Sequence, residues 1–252
     1  MINEPITEQK IRRRTLISFA VFGIMIAIGI GAWYWLYHQP LDNGNDTGIQ
    51  KPLRNVLNAN EKIFEKTISN NHLAKTYPVE KAAKNVRVNG NVGMQGTLDT
   101  TNWRLHLVRA PGDTLILTLA DIQKLPKTEI VFDFKCVEGW DQVTHWGGVR
   151  FSDFAAYYQL PVDSPNQYAA FVTPDEKYYV GIDLPSAMHP QTLICYEMNG
   201  KPLPQNQGYP LRLIIPTKYG IKSLKRIGTL YFSAQRPPDY WAERGYDYFA
   251  GL

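Results

Sequence analysis

Apolar and polar positions divide the chain into unlike stretches. From residue 15 to residue 37 the run TLISFAVFGIMIAIGIGAWYWLY carries no charge. At about 1.5 Å per residue, a helix of that length reaches across the roughly 30 Å hydrocarbon core of a bilayer. The pattern then dissolves: HQPLDNGNDTGIQKP is polar, with Pro, Gly, Asn and Asp and no periodic apolar positions, and reads as a linker. From Asn58 to Phe64 apolar residues return at helical spacing, and beyond them short alternating runs take over. Alternation turns successive side chains to opposite faces, so it predicts strands over residues 103–108, 114–119, 129–135, 168–172, 178–182, 192–198, 211–215 and 229–232.

Helices are fewer and shorter. SDFAAYYQLP opens on Ser152 as an N-cap and closes before Pro161, and LADIQKLP is stopped by Pro126. Asn199-Gly200 between apolar runs predicts a hairpin turn. No internal repeat or low-complexity tract is present, which argues against solenoids and propellers. The expected layout is a cytoplasmic N-terminus over residues 1–14, an anchor over 15–37, a linker over 38–57 and one strand-rich α+β domain over 58–252.

Charge orients this layout. The balance of 27 Lys+Arg against 23 Asp+Glu is mildly basic, but the excess sits at the N-terminus and in one later loop, so nucleic acid is not implied. Lys10, Arg12, Arg13 and Arg14 precede the apolar run and belong on the cytoplasmic side, while Trp33, Tyr34, Trp35 and Tyr37 form an aromatic belt at its outer end. Everything after His38 then faces outward. A cleaved secretory signal is the competing reading, but no small-x-small cleavage site succeeds the run. RRRTLI loosely resembles a twin-arginine export signal.

Two cysteines, Cys136 and Cys195, cannot make a disulfide framework or a four-ligand zinc site, so at most one bridge exists. Cys136 ends the alternating run IVFDFK, on the same face as Ile130, Phe132 and Phe134, and that position by itself describes a buried structural thiol. The residues just beyond it change the picture. Gly139 and Trp140 end the strand abruptly, and Gly147 and Gly148 in HWGGV supply backbone that a bulky ligand could approach. Extended geometry would put Glu138 on the thiol's face, where it borders a pocket or is an ordinary surface carboxylate. A cysteine nucleophile needs a base, for which His145 and His189 are candidates that spacing does not place beside the sulfur. A lone thiolate suits a metal whose other ligands come from a cofactor.

The later basic loop is YPLRLIIPTKYGIKSLKRIGTLYF. Arg212 runs into Lys218, Gly220, Lys222, Ser223, Lys225 and Arg226, a set of cations, a hydroxyl and relieved backbone that can hold a phosphate, or else a solvated basic turn. KYGIKS lacks Walker spacing, so nucleotide hydrolysis gains no support.

Taken together, CVEGW and HWGGV, AMHPQTLICYEMNGKPLP, YPLRLIIPTKYGIKSLKRI and PPDYWAERGYDYFAGL resemble the sulfite-oxidase-type molybdopterin-dependent oxidoreductases, in order and spacing, over nearly all of the outer domain. Within that family the likeness is to the bacterial branch that includes the catalytic subunit of periplasmic methionine sulfoxide reductase. The resemblance implies that Cys136 ligates molybdenum carried by molybdopterin. It also implies that Asn71, His72, Thr173, Gln207, Arg212, Ser223, Leu224 and Lys225 hold the pterin and its phosphate, and that Glu138 lines the substrate face and relays protons. Gln207 stands where relatives usually carry Asn or His, and the branch's Asn-Tyr-Tyr pattern is missing.

The expectation is therefore a single-pass protein of the cytoplasmic membrane, its catalytic domain on the periplasmic side, transferring an oxygen atom and two electrons on a small sulfoxide- or sulfite-like substrate. No Cys-x-x-Cys-His haem site is present, so electrons pass through a separate membrane or periplasmic cytochrome or quinone-linked protein. The chain ends where sulfite oxidases continue into a dimerisation domain, which suggests a monomeric catalytic unit. Two alternatives stand beside this: a membrane-tethered binding or scaffold module that keeps the fold, and a structural Cys136–Cys195 disulfide.

Overall fold

A computed structural model describes residues 8–43, 47–67, 72–95, 98–99, 101–163 and 165–252. The chain divides into two compact units between Val56 and Leu57. The first carries helix α1 (Glu8–Tyr37), which has no buried residue and is long and apolar enough to cross a membrane. Helix α2 (Lys51–Thr67) begins inside the stretch read as linker. Pro52 suits a first helical turn, and Leu53, Val56 and Leu57 already stand at helical spacing, diluted by the polar residues between them. Ahead of α2, Leu41 bridges Gln50, and Asp42 pairs with Arg54 and accepts the Ile49 amide.

The second unit is built on two sheets. In the first, strands β1 (Leu105–Ala110), β2 (Asp113–Leu117), β5 (Tyr168–Val172), β6 (Tyr179–Asp183) and β10 (Thr229–Ser233) run in the order β2-β1-β10-β5-β6. Only β1 and β10 are parallel there. The second sheet orders β3 (Thr128–Lys135), β4 (Asp141–Arg150), β7 (Leu193–Met198) and the short β8 (Lys201–Pro202), with β9 (Arg212–Ile214) also on β7. Three short helices, α3 (Leu119–Gln123), α4 (Phe151–Tyr157) and α5 (Leu184–Ala187), join them. The α+β expectation and the strand positions hold to within a few residues. Asn199 and Gly200 both take positive φ, 53° and 69°, as a tight hairpin turn requires between β7 and β8.

Two expectations need correction. The glycines of HWGGV are not backbone left open to a ligand, because the stretch lies within β4, the longest strand among the described residues. Its glycines answer to a neighbouring strand: a Cβ on Gly148 would lie 2.1 Å from the Ile194 carbonyl oxygen and 2.6 Å from Cys195 Cα, where the β4–β7 register shifts. Ser152 does not cap α4 either. The helix leaves β4 directly, with Arg150 in the cap position and the Phe151 amide bonded to the Thr192 carbonyl at 2.9 Å. Side chains cap α3, where Thr118 and Asp121 exchange side-chain and backbone bonds, and α5, where Asp183 accepts the Ser186 amide at 3.0 Å.

The second sheet is packed on both faces, because alternate residues of one strand enter different clusters. Val149, Ile194, Tyr196 and Leu213 join Leu107, Phe171, Val180 and Leu230 of the first sheet in one apolar core. Their neighbours Leu193, Cys195 and Ile214 join Ile130, Phe132 and Trp146 in a second, smaller core, against which Phe134 packs. That second core carries the end of β3 and with it Cys136.

Gly148→Ala should cost about 3 kcal/mol or more, because backbone rather than a mobile side chain blocks the new methyl group. Gly147→Ala meets side-chain atoms and no backbone, Glu197 at 3.1 and 3.2 Å and Glu129 at 3.7 Å, and should cost less than about 1 kcal/mol. Urea unfolding of the two variants against the parent distinguishes them.

Candidate functional site

The CVEGW stretch is the turn between β3 and β4. The Cys136 amide donates to the Trp140 carbonyl at 2.9 Å, and the Gly139 amide, with φ of 84° at that glycine, returns to the Cys136 carbonyl at 3.1 Å. A residue with a Cβ would be strained at Gly139. The turn leaves Cys136 buried yet lining a cleft, and Phe134 stacks against Trp140 at 6.3 Å beside it. The cleft contains about 930 Å³ of atom-free space, its mouth included. Aromatic walls come from Phe134, Trp140, Trp146, Tyr178, Trp241 and Tyr246.

Several remote segments reach the same cleft. Arg212 enters from β9, on the residue paired with Cys195. Its guanidinium donates to the Gln207 carbonyl and side-chain oxygen at 3.0 and 2.9 Å and to the Ser223 carbonyl at 3.3 Å, and lies 4.4 Å over the Trp146 ring. Ser223 Oγ accepts the Ile215 amide at 3.3 Å, which leaves its own proton available. Gly220 lets this loop close on the end of β3, since a Cβ there would lie 2.5 Å from the Phe134 ring. The segment from Val86 to Gly90 covers the cleft from the other side. Gln207 Nε2 donates to the Val86 and Arg87 carbonyls at 3.3 and 3.2 Å, and Lys225 Nζ to the Asn89 and Gly90 carbonyls at 2.6 and 3.1 Å. Arg87 stacks on Trp140 at 4.6 Å.

The basic loop sorts its cations into two kinds. Lys222 is buried against Asp239 at 2.5 Å, and Lys218 against Asp183 at 2.8 Å, so both serve the fold rather than an anion. This corrects the reading of the whole run as one phosphate cradle: two of its lysines turn toward the carboxylates of β6 and the C-terminal segment. Arg212 and Lys225 have no carboxylate partner among the described residues. Burial pulls Lys225 down to about 8, with Arg212 adding repulsion, and burial pulls Arg212 down to about 10. Glu138 is held below the usual carboxylate range by hydrogen bonds from Asn89 and then Trp140.

The structure thus brings Cys136, Glu138, Gln207, Arg212, Ser223 and Lys225 into one cleft, and leaves other expected residues outside its lining. Asn71 lies outside the described residues. His72 is exposed, its carbonyl facing His189 Nε2 at 3.2 Å. The Thr173 hydroxyl is engaged by Asp175 and by the backbone of Tyr178, and Leu224 is fully buried in the main core. Neither His145 nor His189 lines the cleft, so a cysteine hydrolase has no histidine base there. Both cysteines are free, which removes the disulfide alternative. Reasoning from sequence missed Asn89, Arg87 and the aromatic walls. The tail's dense aromatics were visible, but VRVNG carries no periodic or motif signal.

The donor set can be tested against a metal–pterin cofactor. Among the described residues no cluster of three His, Cys, Asp or Glu could hold a metal unaided, so a metal at Cys136 needs ligands from elsewhere. The buried Arg212 Nε has no hydrogen-bond partner, and two cations share the cleft without a counter-charge. A thiolate ligand with an anion-shaped gap in reach suits a dithiolene-bound metal carrying a phosphate.

The family model and the sequence relatives agree. The oxidoreductase molybdopterin binding domain model matches residues 91–241, and the chain belongs to that family. It is a molybdenum-dependent oxidoreductase, and its cofactor is molybdenum-molybdopterin. A protein of Azospira oryzae named putative protein-methionine-sulfoxide reductase subunit YedZ1 is 30% identical over 82% of this chain and 79% of its own length. The protein-methionine-sulfoxide reductase catalytic subunit MsrP of Campylobacter jejuni is 32% identical over 64% of this chain, which spans 60% of that protein. The crystal structure of the sulfane dehydrogenase SoxCD from Paracoccus pantotrophus superimposes with a TM-score of 0.49 and 17% identity, over 56% of this chain and 40% of that one.

Lys222→Ala should destabilise the protein by about 3–5 kcal/mol, since it leaves Asp239 buried and unpaired; denaturant unfolding reads it. Lys225 behaves differently. Its amine titrates near 8 in the fold against 10.5 unfolded, so the cost of its charge is present in full below pH 8 and is relieved as pH rises from about 8 to 10.5. Cofactor-free parent protein should therefore gain stability across that window relative to Lys225→Met, measured by unfolding both at either end of it.

Proposed function

We propose that this chain is the membrane-anchored catalytic component of an oxygen-atom-transfer system that acts on a small sulfoxide- or sulfite-like substrate, with sulfoxide reduction as the direction favoured by the names of its relatives. The observation that carries the reading is a buried thiol sharing one cleft with two cations that lack counter-charges. When bound, the cofactor would supply a two-electron redox centre, which gives up two electrons as a sulfoxide loses its oxygen atom or takes up two as a sulfite-like substrate gains one.

The chain's own residues do the rest. Cys136 is the protein's ligand to the metal, kept from bulk solvent by the second core. Arg212, Ser223 and Lys225 hold the phosphate end through charge-assisted bonds, and Gln207 fixes the Arg212 fork from behind. Glu138, exposed at the cleft and bonded to the Trp140 indole at 3.2 Å, is placed to pass protons to the reacting oxygen. Sulfoxide reduction needs them, since two electrons and two protons convert the substrate to a thioether and water. The aromatic walls offer an apolar, polarisable lining suited to a thioether-like group.

Helix α1 anchors the unit. The cations before its apolar run hold the N-terminal end in the cytoplasm and put the catalytic unit on the periplasmic side of the cytoplasmic membrane. Electrons then come from a separate membrane or periplasmic redox protein.

The full chain, produced in a host that makes molybdopterin, should carry about one molybdenum per chain and reduce sulfoxides with a reduced viologen as donor. Cys136→Ser should lose both. Lys225→Met should retain cofactor about 10–100-fold less well, the value of one hydrogen bond to a charged group. Parent protein free of molybdenum and pterin, from a host that loads a control enzyme, would sink the proposal in favour of a tethered module that keeps only the fold.

A further inference from the structure

We infer that Asn89 is a positioning residue for the Cys136 thiolate, and through that sulfur sets the reduction potential of the metal bound to it; this rests on the cofactor reading above. Asn89 lies just before the stretch that the family model matches. Its side-chain amide donates to Cys136 Sγ at 3.6 Å, an ordinary separation for the larger sulfur acceptor, and the same side chain bonds to Glu138.

The placement is built rather than incidental. Residues 86–90 belong to no strand or helix, yet four hydrogen bonds hold them: Gln207 on the carbonyls of Val86 and Arg87, and Lys225 on those of Asn89 and Gly90. Gly208, with φ of 106°, lets the turn carrying Gln207 close on Lys225, because a Cβ there would lie 2.9 Å from Lys225 Cβ. Arg212, 2% exposed and with Nε unpartnered, lines the same cleft. The side chains that await an anion thus also fix the loop whose amide meets the sulfur. One residue therefore touches the thiol, the carboxylate and, through its carbonyl, the cation.

An N–H aimed at a thiolate withdraws electron density from the sulfur, which then donates less to the metal and leaves it easier to reduce. Removing the donor should lower the potential.

The test uses metal-loaded full chain and three variants, with the metal's midpoint potential, its sulfur-to-metal absorption band and molybdenum content as readouts. Asn89→Ala should lower the potential, Asn89→Asp should lower it further by placing negative charge against the sulfur, and Asn89→Gln should lie between parent and Asn89→Ala. Unchanged potentials and spectra in the Ala and Asp variants, at parental metal content, would overturn the inference. If Ala and Asp melt like the parent without cofactor but load no molybdenum while Gln loads, the amide donor is required and the inference stands. If all three fold and none loads, the loop's shape matters and the amide does not, which overturns it too. A parent that holds no molybdenum is a different result: it removes the cofactor reading itself and this inference with it.

Discussion

A cation taken out of water can be neutralised by the fold or held ready for an anion that arrives later, and β9 with the loop after it does both within a few residues. Lys218 and Lys222 find Asp183 and Asp239. Arg212 and Lys225 find carbonyls and an aromatic face, which satisfy hydrogen bonds without cancelling charge. Desolvating a cation that way costs stability, as the depressed Lys225 shows. The paired lysines make that tolerable by fixing the loop to β6 and the C-terminal segment: Lys222 also donates to the Gly181 carbonyl at 3.2 Å, and Lys218 to that of Phe249 at 2.8 Å.

Bringing that loop beside a thiol from a distant hairpin is a problem of close approach. Gly148 lets β4 and β7 meet at their irregularity, which sets the sheet that carries both Arg212 and the strand ending at Cys136. Gly220 then admits the Phe134 ring, and Gly208 admits Lys225. Each glycine answers to packing between chain segments, and the cleft is the space those contacts leave.

Much of this was legible in the sequence, because alternation reports strands directly. Cys136 on the apolar face, the hairpin at Asn199-Gly200 and the positions of β5 and β7 come from period and turn chemistry. The family resemblance located Gln207, Arg212, Ser223 and Lys225, which the fold does assemble. The misreadings share a physical cause: the same local pattern serves different tertiary partners. A glycine pair reads alike whether it faces a ligand or another strand, and a run of lysines reads alike whether its carboxylates lie far away in sequence or are absent. Asn89 was illegible because its position depends on Gln207 and Lys225, more than a hundred residues downstream.

Counting donors shows why the cleft can admit an anion without first dismantling its cover. A lysine ammonium has three protons, and Lys225 uses two on Asn89 and Gly90. A guanidinium has five, of which Arg212 uses three on Gln207 and Ser223, and its Nε proton stays unused in a buried place. With the Ser223 hydroxyl, donors remain on three residues around one gap while every bond that positions Asn89 is kept. The segment over the thiol can therefore be in place both before and after the anion binds. That makes the geometry around the sulfur a property of the fold, which the cofactor completes rather than creates.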